Sequence, residues 1–520
     1  MLTGLHSTFE RLAGPMPIFR ARLARKSWKA AASLVKSLGG RLVSLWATDR
    51  RPIDGQMAVH AAYSTADGLA WVTLPLTDLL RVYPGIDDVF PEAGRMQRAV
   101  ADLLGILPEE HHDERSWLRH DAWPADYHPL LAERTGLETF ESPRQAYAFV
   151  PVEGDGVHEI PVGPVHAGII EPGHFRFSVV GEKVLRLEER LGYTHKGIEK
   201  RFEGRGPLDQ GCAQLAARVS GDSTVAYAWA YAMAVESAGR CAVPSRAQWL
   251  RSMVLERERV ANHLGDLGAL GNDAGFAFGL AQFSRLKEDW LRMNWTVFGH
   301  RYAMDYVIAG GVSDDPGHLL LESIVRQCDD VRQEVVQLRS IYDEHSGLQD
   351  RFVGTGRVTP ELAARLGLTG LAGRASGQAR DLRADFRLTP YDVLNAACAS
   401  SDGGDVAARV AVRFDETLES LRLIQAIGRR LQEAELQGPI HAEPQLGSNQ
   451  AAGAGWVEGW RGPVLVALEL DQYGIIRRCH CHDPSWQNWP LLEHAVIGNI
   501  VPDFPLINKS FNLSYSGHDL

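Results

Sequence analysis

Short apolar runs separated by turn residues occupy the first part of the chain and predict β-strands. The runs, rich in β-branched and aromatic residues and separated by Asp-Gly pairs, are RLVSLWAT (41–48), MAVHAAYS (57–64) and LAWVTLPL (69–76). A helix is predicted over 95–104, and a loop rich in Pro, His and Trp over 108–129. These elements predict a small α+β module over residues 1–135, followed by a linker over 136–160.

The rest of the chain changes to the three- and four-residue spacing that is typical of long helices. Apolar residues with this spacing are Leu321, Ile324, Val325, Cys328, Val331, Val335 and Leu338 in one segment, and Val410, Phe414, Leu418, Leu421 and Ile424 in another. Hairpins are predicted over 160–187, with the turn at 181–182, and around 471–474, before a helix over 489–497. The fold class is therefore α+β, with a mainly helical large domain over 161–520 that carries small β-hairpins.

One helical stretch, at 224–236, is unusually rich in small side chains. They are Ala226, Ala228, Ala230, Ala232 and Ala234. Small residues allow a neighbouring backbone to come close, and we expect a second helix to pack against this one.

Length and composition describe an ordinary globular protein of two or three domains. The chain has 520 residues, of which 45% are hydrophobic and 23% charged. Its net charge of -11 argues against a nucleic-acid partner. We find no run of 18 or more apolar residues and no secretory signal, so we expect a soluble or peripheral protein. The six cysteines are scattered without a C-x-x-C pair, which favours a reducing cytoplasm.

The first forty residues are basic, unlike the rest of the chain. The cations are Arg11, Arg20, Arg22, Arg25, Lys26, Lys29 and Lys36, against one acid, Glu10. Two interpretations stay open: a segment that lies against an anionic membrane surface or an acidic subunit, and a solvated first helix.

Seven motifs follow one another in the order of a known family. They are EPGHFRF (171–177), Y-x-H-x-G-x-E-K (193–200), R-x-S-G-x-S (218–223), VPSRAQWLRSMVLERERVANHL (243–264), RASGQARDLRAD (374–385), DPSWQNWP (483–490) and PLINKSFNLSYS (505–516). In these motifs the chain resembles the large subunit of group 4, membrane-bound nickel-iron hydrogenases, which is homologous to the 49-kDa subunit of respiratory complex I. The N-terminal module resembles the 30-kDa subunit of complex I, which formate-hydrogenlyase-type proteins carry fused ahead of the large subunit.

The resemblance implies a membrane-associated assembly. Such complexes hold this subunit at the cytoplasmic face of the inner membrane, against a small subunit that bears a [4Fe-4S] cluster. A ferredoxin-like subunit and antiporter-like, ion-translocating membrane subunits complete them. We therefore expect a peripheral, cytoplasmic subunit that binds no cofactor itself, with a quinone as a candidate ligand.

The metal ligands of the family are missing from this chain. A hydrogenase holds nickel through four cysteine thiolates, a soft ligand set, which the family supplies from R-x-C-G-x-C and from a C-terminal D-P-C-x-x-C. Here Ser220 and Ser223 stand at the first pair, and Ser514 and Gly517 at the second. The chain also ends three residues after Gly517, where the family carries an extension that is removed after nickel insertion. We therefore expect no nickel-iron centre, no other metal and no hydrogen chemistry.

Two histidines are candidates for a quinone site through the same resemblance. His174, in EPGHFRF, resembles the neighbourhood of the quinone-facing histidine of complex I, and His166 lies eight residues before it. The quinone tyrosine of that family falls on Gly221, so the set is incomplete. The alternative for His174 is a hydrogen-bonded hairpin histidine with no role in chemistry.

Glu199 resembles the glutamate through which hydrogenases pass protons away from the metal. A carboxyl suits that task when burial raises its pKa towards neutrality. The alternative is an ion pair with Lys196 or Lys200 on an exposed turn.

Two further groups of charged residues have a functional and a structural interpretation. Glu256, Arg259 and His263 have the spacing of one helix face and are compatible with a buried polar chain or with a structural salt-bridge ladder. Arg380 and Asp381 resemble a pair near the hydrogenase active site, and without a metal we expect a structural role.

The run Cys479-His480-Cys481-His482 has the residue types of a zinc or copper site. On a strand, however, the cysteines point to one face and the histidines to the other, so the four side chains cannot converge on one ion. We expect no metal there.

The sequence as a whole predicts a redox subunit that takes part in electron transfer or in redox coupling to ion translocation. Two alternatives remain: a non-catalytic subunit that couples or supports the assembly, and a quinone-site subunit of the NADH:quinone oxidoreductase type.

Overall fold

The computed structural model describes residues 8–77, 81–110, 112–120, 122–141, 147–166, 170–386, 388–447 and 451–520. Parts of the predicted linker and of the predicted 160–187 hairpin lie outside these ranges.

A five-stranded sheet with helices on one face forms the N-terminal part. Its strands are β1 (Glu10–Arg11), β2 (Ile18–Arg22), β3 (Arg41–Asp49), β4 (Gln56–Thr65) and β5 (Gly68–Thr77). Its helices are α1 (Arg25–Ser37), α2 (Arg51–Asp54) and α3 (Ala93–Leu104), and the short strands β6 (Val82–Pro84) and β7 (Leu107–Glu109) pair with each other. The sheet order is β1-β2-β5-β4-β3, with β2 and β5 parallel and the other neighbours antiparallel. The three strands and the helix predicted here are confirmed.

The basic N-terminal segment is only partly a helix. Arg11, Arg20 and Arg22 lie on strands, and α1 begins at Arg25. The apolar side of α1 is fully buried against the sheet, with Trp28 at its centre. A solvated first helix is therefore wrong as a description, because three of the cations extend the sheet and the helix has a buried face.

A three-stranded antiparallel sheet follows the loop region. Its strands are β8 (Val157–Val162), β9 (His174–Val180) and β10 (Lys183–Arg190), in the order β10-β9-β8. The predicted turn at 181–182 is confirmed, since Lys183 pairs with Val180.

Long helices then build the large domain, with short pieces between them. The helices are α4 (Ile198–Phe202), α5 (Gln210–Ala217), α6 (Thr224–Ala238), α7 (Ser245–Asp273), α8 (Ala277–Phe298), α9 (His318–Glu344), α10 (Ser346–Phe352), α11 (Pro360–Arg365), α12 (Gly370–Arg374), α13 (Leu382–Asp385), α14 (Tyr391–Leu394) and α15 (Val406–Arg430). A two-stranded ribbon, β11 (Val307–Ile308) and β12 (Gly311–Val312), lies between α8 and α9. The periodicity predicted for α9 and α15 is confirmed.

The last part of the chain returns to the centre of the molecule. It contains β13 (Ala452–Glu458), β14 (Pro463–Leu470), β15 (Ile476–His482), α16 (Ser485–Ala495), α17 (Phe504–Phe511) and α18 (Tyr515–Asp519). The predicted hairpin between β14 and β15 is confirmed, whereas α16 begins four residues before the predicted start at 489. None of the described helices is long and apolar enough to cross a membrane.

The small-residue helix α6 contacts neighbouring helices, α5 and α7, as expected, but the very close approach is made by a strand, β13. Gly453 and Gly455 of β13 lie so close that a Cβ on either would stand 2.0 Å from a backbone oxygen of α6, that of Ala234 or of Ala230. Only glycine on the strand and alanine on the helix permit this approach.

Strand β3 joins the N-terminal sheet to the large domain. Val43 and Trp46 share one hydrophobic core with α6 and β13–β15, whereas Leu42 and Leu45 share another with α1, α3, α16 and α17. Both cores therefore contain residues from both predicted domains, and the two parts pack as one body. The boundaries predicted at 135 and 160 stay predictions.

Candidate functional site

The structure brings the four former ligand positions together at the N-termini of two helices. Ser223 precedes α6 and Ser514 precedes α18. The Ser220 and Ser514 hydroxyl oxygens are 3.1 Å apart, and the Gly517 backbone N–H donates to Ser514 Oγ at 2.8 Å. The two pairs of positions, which lie 294 residues apart in the sequence, therefore meet in the fold.

An ion pair lies within this serine cluster. Arg461, in the turn between β13 and β14, donates from both terminal nitrogens to the Asp222 carboxylate at 2.8 and 2.5 Å. Its Nη1 also donates to Ser223 Oγ at 3.2 Å, and its Nε to the Asn512 carbonyl at 2.5 Å. Ser220 Oγ donates to Asp222 Oδ1 at 2.7 Å. A single guanidinium thereby joins the segment before α6 to the segment before α18.

The charge of Asp222 is fixed by these contacts. Burial favours the neutral acid, but the Arg461 guanidinium and the Ser220 hydroxyl outweigh it and lower the pKa of Asp222 to about 2. The side chain is nevertheless 37% exposed, and the adjacent Gly221 is exposed as well. The cluster therefore opens to the surface at residues 221–222.

The side-chain space at Gly517 is already filled. A Cβ at this glycine would lie 2.5 Å from Asp483 Oδ2 and 2.8 Å from Ser514 Oγ. The Asp483 carboxylate is held in place, since Tyr227 Oη donates to Oδ2 and the Ser485 N–H donates to Oδ1, each at 2.8 Å. A cysteine does not fit here without moving Asp483.

These residues do not fit a nickel-iron centre. Nickel requires soft thiolates, whereas the positions offer hydrogen-bonded hydroxyls at Ser220, Ser223 and Ser514 and no side chain at Gly517. In the described part of the chain, no group of three or more His, Cys, Asp or Glu side chains is arranged to hold a metal ion. We therefore derive no step through such a centre.

Glu199 lies at the junction with the N-terminal sheet, and its hydrogen-bond and ion-pair partners among the described residues are His480 and Arg478 rather than members of the serine cluster. Its carboxylate hydrogen-bonds to His480 Nδ1 at 2.7 Å and forms an ion pair with Arg478 Nη1 at 3.0 Å. The predicted partners are wrong: Lys196 donates to the Val219 carbonyl, and Lys200 pairs with Glu203. The alternative of an exposed turn is wrong too, since Glu199 is 4% exposed.

The expectation that burial raises the pKa of Glu199 is also wrong. Burial does favour its neutral form, but the Arg478 guanidinium and His480 outweigh it and lower the pKa to about 2. His480 stacks on Trp46 of β3, and its Nε2 is 2.8 Å from Ser44 Oγ. A cavity of about 30 Å³ adjoins this group, which is room for a water molecule.

A different glutamate, Glu258 of α7, stands next to the serine cluster. Its carboxylate oxygens accept the backbone N–H of Val225 at 2.6 Å and of Ala226 at 3.2 Å, in the first turn of α6. The side chain is 4% exposed. Burial raises its pKa to about 8, and the negative charge of Asp222 adds to the rise. The sequence analysis missed this residue.

The two candidate quinone histidines lie in the β8–β9 region. His166 Nε2 hydrogen-bonds to the Gly173 carbonyl at 2.8 Å, and His174 Nδ1 to the Gly163 carbonyl at 3.2 Å. His174 Nε2 is buried without a hydrogen-bond partner among the described residues. Burial lowers the pKa of His174, so its imidazole is neutral at pH 7. The hairpin meets the C-terminal segment, because Gly173 packs against the Tyr515 ring.

The helix-face residues predicted on α7 belong to one buried ionic network. Arg259 pairs with Glu256 at 3.2 Å, while His263 bonds to Glu416 of α15 at 2.9 Å. Four further residues of the network connect the Arg259–Glu256 pair to the His263–Glu416 pair: Arg383, Asp381, Arg374 and Glu458. Asp381 is buried in this network, whereas Arg380 is exposed and contributes its backbone carbonyl to Arg374.

The run 479–482 has the alternation that was predicted. Cys479 and Cys481 lie in the core beside α6, and His480 turns to Trp46 of the N-terminal sheet, while His482 bonds to Gln487. The four side chains do not converge on one point.

The residues missed by the sequence analysis are the charged ones around the serines. Asp222 stands between two former ligand positions, and an acid there was a visible signal of a changed pocket. Arg461 and Glu258 gave no local signal, because their partners are more than 30 residues away in the chain.

Comparison with known proteins agrees with the two-part architecture. Residues 21–138 match the family model of the respiratory-chain NADH dehydrogenase 30 Kd subunit, and residues 273–519 match that of the 49 Kd subunit. These two matches define the class: one chain that carries, in order, regions similar to the 30 Kd and 49 Kd complex I subunits, with Ser514 and Gly517 inside the second matched region.

The relatives narrow the class. The chain is 32% identical to formate hydrogenlyase subunit 5 of Escherichia coli over 491 residues, 92% of this chain and 85% of the relative. It is 30% identical to hydrogenase-4 component G of the same organism, over 92% of this chain and 84% of the relative. The chain therefore belongs to the family of group 4 hydrogenase-related large subunits with fused 30-kDa and 49-kDa complex I domains.

A solved structure shares the fold of most of the chain. A chain of the membrane-bound sulfane sulfur reductase, an archaeal respiratory membrane complex, superposes with a TM-score of 0.65 at 25% identity. The match covers 71% of this chain and 100% of that chain. The relatives are thus subunits of multisubunit complexes.

Proposed function

We propose that this chain is the large subunit of a membrane-associated, complex-I-like oxidoreductase and takes part in electron transfer coupled to ion translocation without a nickel-iron centre. The Asp222–Arg461 pair within the serine cluster carries this proposal. It fills the former metal pocket with hydrogen bonds, and Asp483 fills the space at Gly517.

The partners follow from the family. Electrons would come from a small subunit with a [4Fe-4S] cluster, supplied by a ferredoxin-like subunit, and antiporter-like membrane subunits would translocate the ion. The exposed opening at Gly221 and Asp222 is the side on which such a small subunit would approach the cluster. We place the chain at the cytoplasmic face of the inner membrane.

Purification of the complex through a tag on this chain tests the proposal. Mass spectrometry would identify the co-purifying subunits, and elemental analysis would measure nickel. Reduced viologen would supply electrons to protons, to a quinone analogue or to polysulfide, the last because the solved relative is named a sulfane sulfur reductase. We expect no stoichiometric nickel, no hydrogen, and reduction of a non-proton acceptor.

The outcomes separate the alternatives. One nickel per chain together with hydrogen evolution would overturn the proposal. An intact complex that reduces none of the acceptors would favour the non-catalytic subunit. The variant Asp222→Asn should lower acceptor reduction, whereas Asp305→Asn, in an exposed ion pair with Arg218, should leave it unchanged.

A second candidate is quinone reduction, favoured by the free ring nitrogen of His174. Because Nδ1–H donates to the Gly163 carbonyl, the unpaired, buried Nε2 of the neutral ring is an acceptor and is suited to bind the hydroxyl group of a quinol, the product of the reduction. His174→Ala should then abolish reduction of the quinone analogue, while His158→Ala, an exposed histidine on the neighbouring strand, should not. An unchanged rate in His174→Ala would remove this candidate.

A further inference from the structure

Glu258 is a buried acid without a cation. Its two oxygens accept only the N–H groups of Val225 and Ala226, and no basic side chain of the described residues lies within ion-pair distance. The two backbone N–H bonds favour the carboxylate, but the burial of the side chain outweighs them. The charged and neutral forms of the Glu258 side chain therefore differ little in free energy near neutral pH.

One residue connects the backbone of Glu258 to the backbone of the loop that carries the serine cluster. Asn262, one turn further along α7, donates from Nδ2 to the Glu258 carbonyl at 2.9 Å and to the Asp222 carbonyl at 2.8 Å. The helix turn that Glu258 caps begins directly after Ser223. Glu258 thus caps the helix turn that follows the serine cluster, and its side chain is buried.

The charged groups around Glu258 come from three elements. Asp222, paired with Arg461, faces it from the loop before α6, and Arg259 adjoins it on α7 itself. The negative charge of Asp222 favours the neutral acid, while Arg259 and the first turn of α6 favour the carboxylate. With burial, the balance leaves the pKa of Glu258 at about 8, so a modest change in local charge alters its protonation near neutral pH.

We propose that Glu258 takes up one proton when the [4Fe-4S] cluster of the small subunit takes up one electron, and so balances the added negative charge. This step rests on the proposed function. The electron comes from the reductant that supplies the small subunit and stays on its iron–sulfur cluster. The proton comes from solvent and forms an O–H bond on the Glu258 carboxylate. One electron and one proton are added to the complex, and no bond in the chain breaks.

The test uses the purified complex and does not require turnover. Its iron–sulfur cluster is reduced stepwise with dithionite at pH 8.5, and proton uptake is followed with a pH indicator in weakly buffered solution. Infrared difference spectra report the carboxylic C=O band over the same titration. Wild type should take up a proton on reduction and gain a carboxylic band, and Glu258→Gln should lose both.

Two further variants make the result specific. Glu92→Gln removes another buried acid, whose pKa burial raises to about 7 at the start of α3, away from the cluster, and it should leave proton uptake unchanged. Asp222→Asn removes the neighbouring charge and should move the titration of the Glu258 band to lower pH without removing the band. This second variant tests the proposal even where Glu258→Gln does not assemble.

The outcomes distinguish this inference from the proposed function. A complex without an active acceptor contradicts the proposed redox role, yet its cluster is still reduced and proton uptake is still measured. If proton uptake and the carboxylic C=O band both persist in an assembled Glu258→Gln complex, the inference is overturned and the proposed function is not affected. An Asp222→Asn titration identical to wild type would overturn the inference as well.

Discussion

Two buried glutamates of this chain face opposite electrostatic surroundings. Glu199 lies at the junction with the N-terminal sheet, and Glu258 lies next to the serine cluster. Each side chain is 4% exposed. The pKa of Glu199 is lowered to about 2, whereas that of Glu258 is raised to about 8. Glu199 has Arg478 at 3.0 Å, and Glu258 has only backbone N–H groups and the like charge of Asp222.

The difference shows that burial alone does not prepare a carboxyl for proton transfer. A general acid or base works best when its pKa lies near the working pH. Glu199 remains ionised because Arg478 compensates its charge, so the proton role that its motif implies is not supported by its surroundings. Glu258, without a counter-ion, meets the requirement.

The largest expected effect comes from removing the cation of Glu199. In Arg478→Met the carboxylate stays buried without its ion pair, which typically costs about 3–5 kcal/mol of folding free energy. Denaturant unfolding of the purified chain at pH 7 would measure the loss. Arg292→Met, which removes an exposed surface pair with Glu288, should leave the free energy of unfolding nearly unchanged.

A double variant shows whether charge is the cause. Arg478→Met combined with Glu199→Gln leaves no unpaired charge and should recover part of the stability lost in the single variant. A double variant as unstable as the sum of its parts would mean that Arg478 acts through packing instead.

The second prediction concerns the pH dependence contributed by Glu258. Its folded pKa is raised above the ordinary 4.5, so the folded state binds the proton more tightly than the unfolded chain does. The stability that this proton contributes is present below pH 4.5 and is lost as pH rises towards 8. Each tenfold change in proton affinity is worth about 1.4 kcal/mol, so the total is a few kcal/mol.

Glu258→Gln removes this dependence, because glutamine does not ionise. The free energy of unfolding of the variant, relative to wild type, should therefore increase between pH 5 and pH 8.5. Denaturant titrations would measure the difference in unfolding free energy between the variant and wild type at each pH. If this difference is the same at pH 5 and at pH 8.5, Glu258 has an ordinary pKa.

Much of the fold was predictable because its signals are local. The continuous apolar runs of β3 and β4 reflect strands that are buried on both faces, and the spacing of α9 and α15 reflects buried helix faces. Turn residues separate the strands. The packing of α6 was not predictable, because two glycines more than 200 residues later decide that a strand approaches it.

The site was predictable only in outline. Motif order located Ser220 and Ser514 in one place, since the pattern of the family fixes which segments meet. The charges of that place were not predictable, because Arg461 and Glu258 come from distant segments. The predicted direction of the Glu199 pKa shift was wrong for the same reason, because its partner Arg478 lies 279 residues further along the chain.

The third prediction concerns removal of the Asp222 charge that faces Glu258. Asp222→Asn loses the ion pair with Arg461, and because Asp222 is 37% exposed and screened by solvent, we expect a cost of about 1–2 kcal/mol. Chemical unfolding at pH 7 would measure it, with Asp305→Asn as the exposed control. A loss as large as that of Arg478→Met would contradict the distinction between the partly exposed Asp222–Arg461 pair and the buried Glu199–Arg478 pair.

The smallest effect is expected on the Glu199 side, from Ser44→Ala. The substitution removes the hydroxyl 2.8 Å from His480 Nε2, but the adjoining cavity of about 30 Å³ has room for a water that restores the bond. We therefore expect a loss of about 0.5–1 kcal/mol, near the value of a single hydrogen bond. Arg478 is untouched in this variant, so Glu199 should stay ionised at pH 7 in infrared spectra compared with Glu199→Gln. If Ser44→Ala instead protonated Glu199, the hydrogen-bond chain through His480 would be what holds its charge, and the cation would not explain the contrast with Glu258.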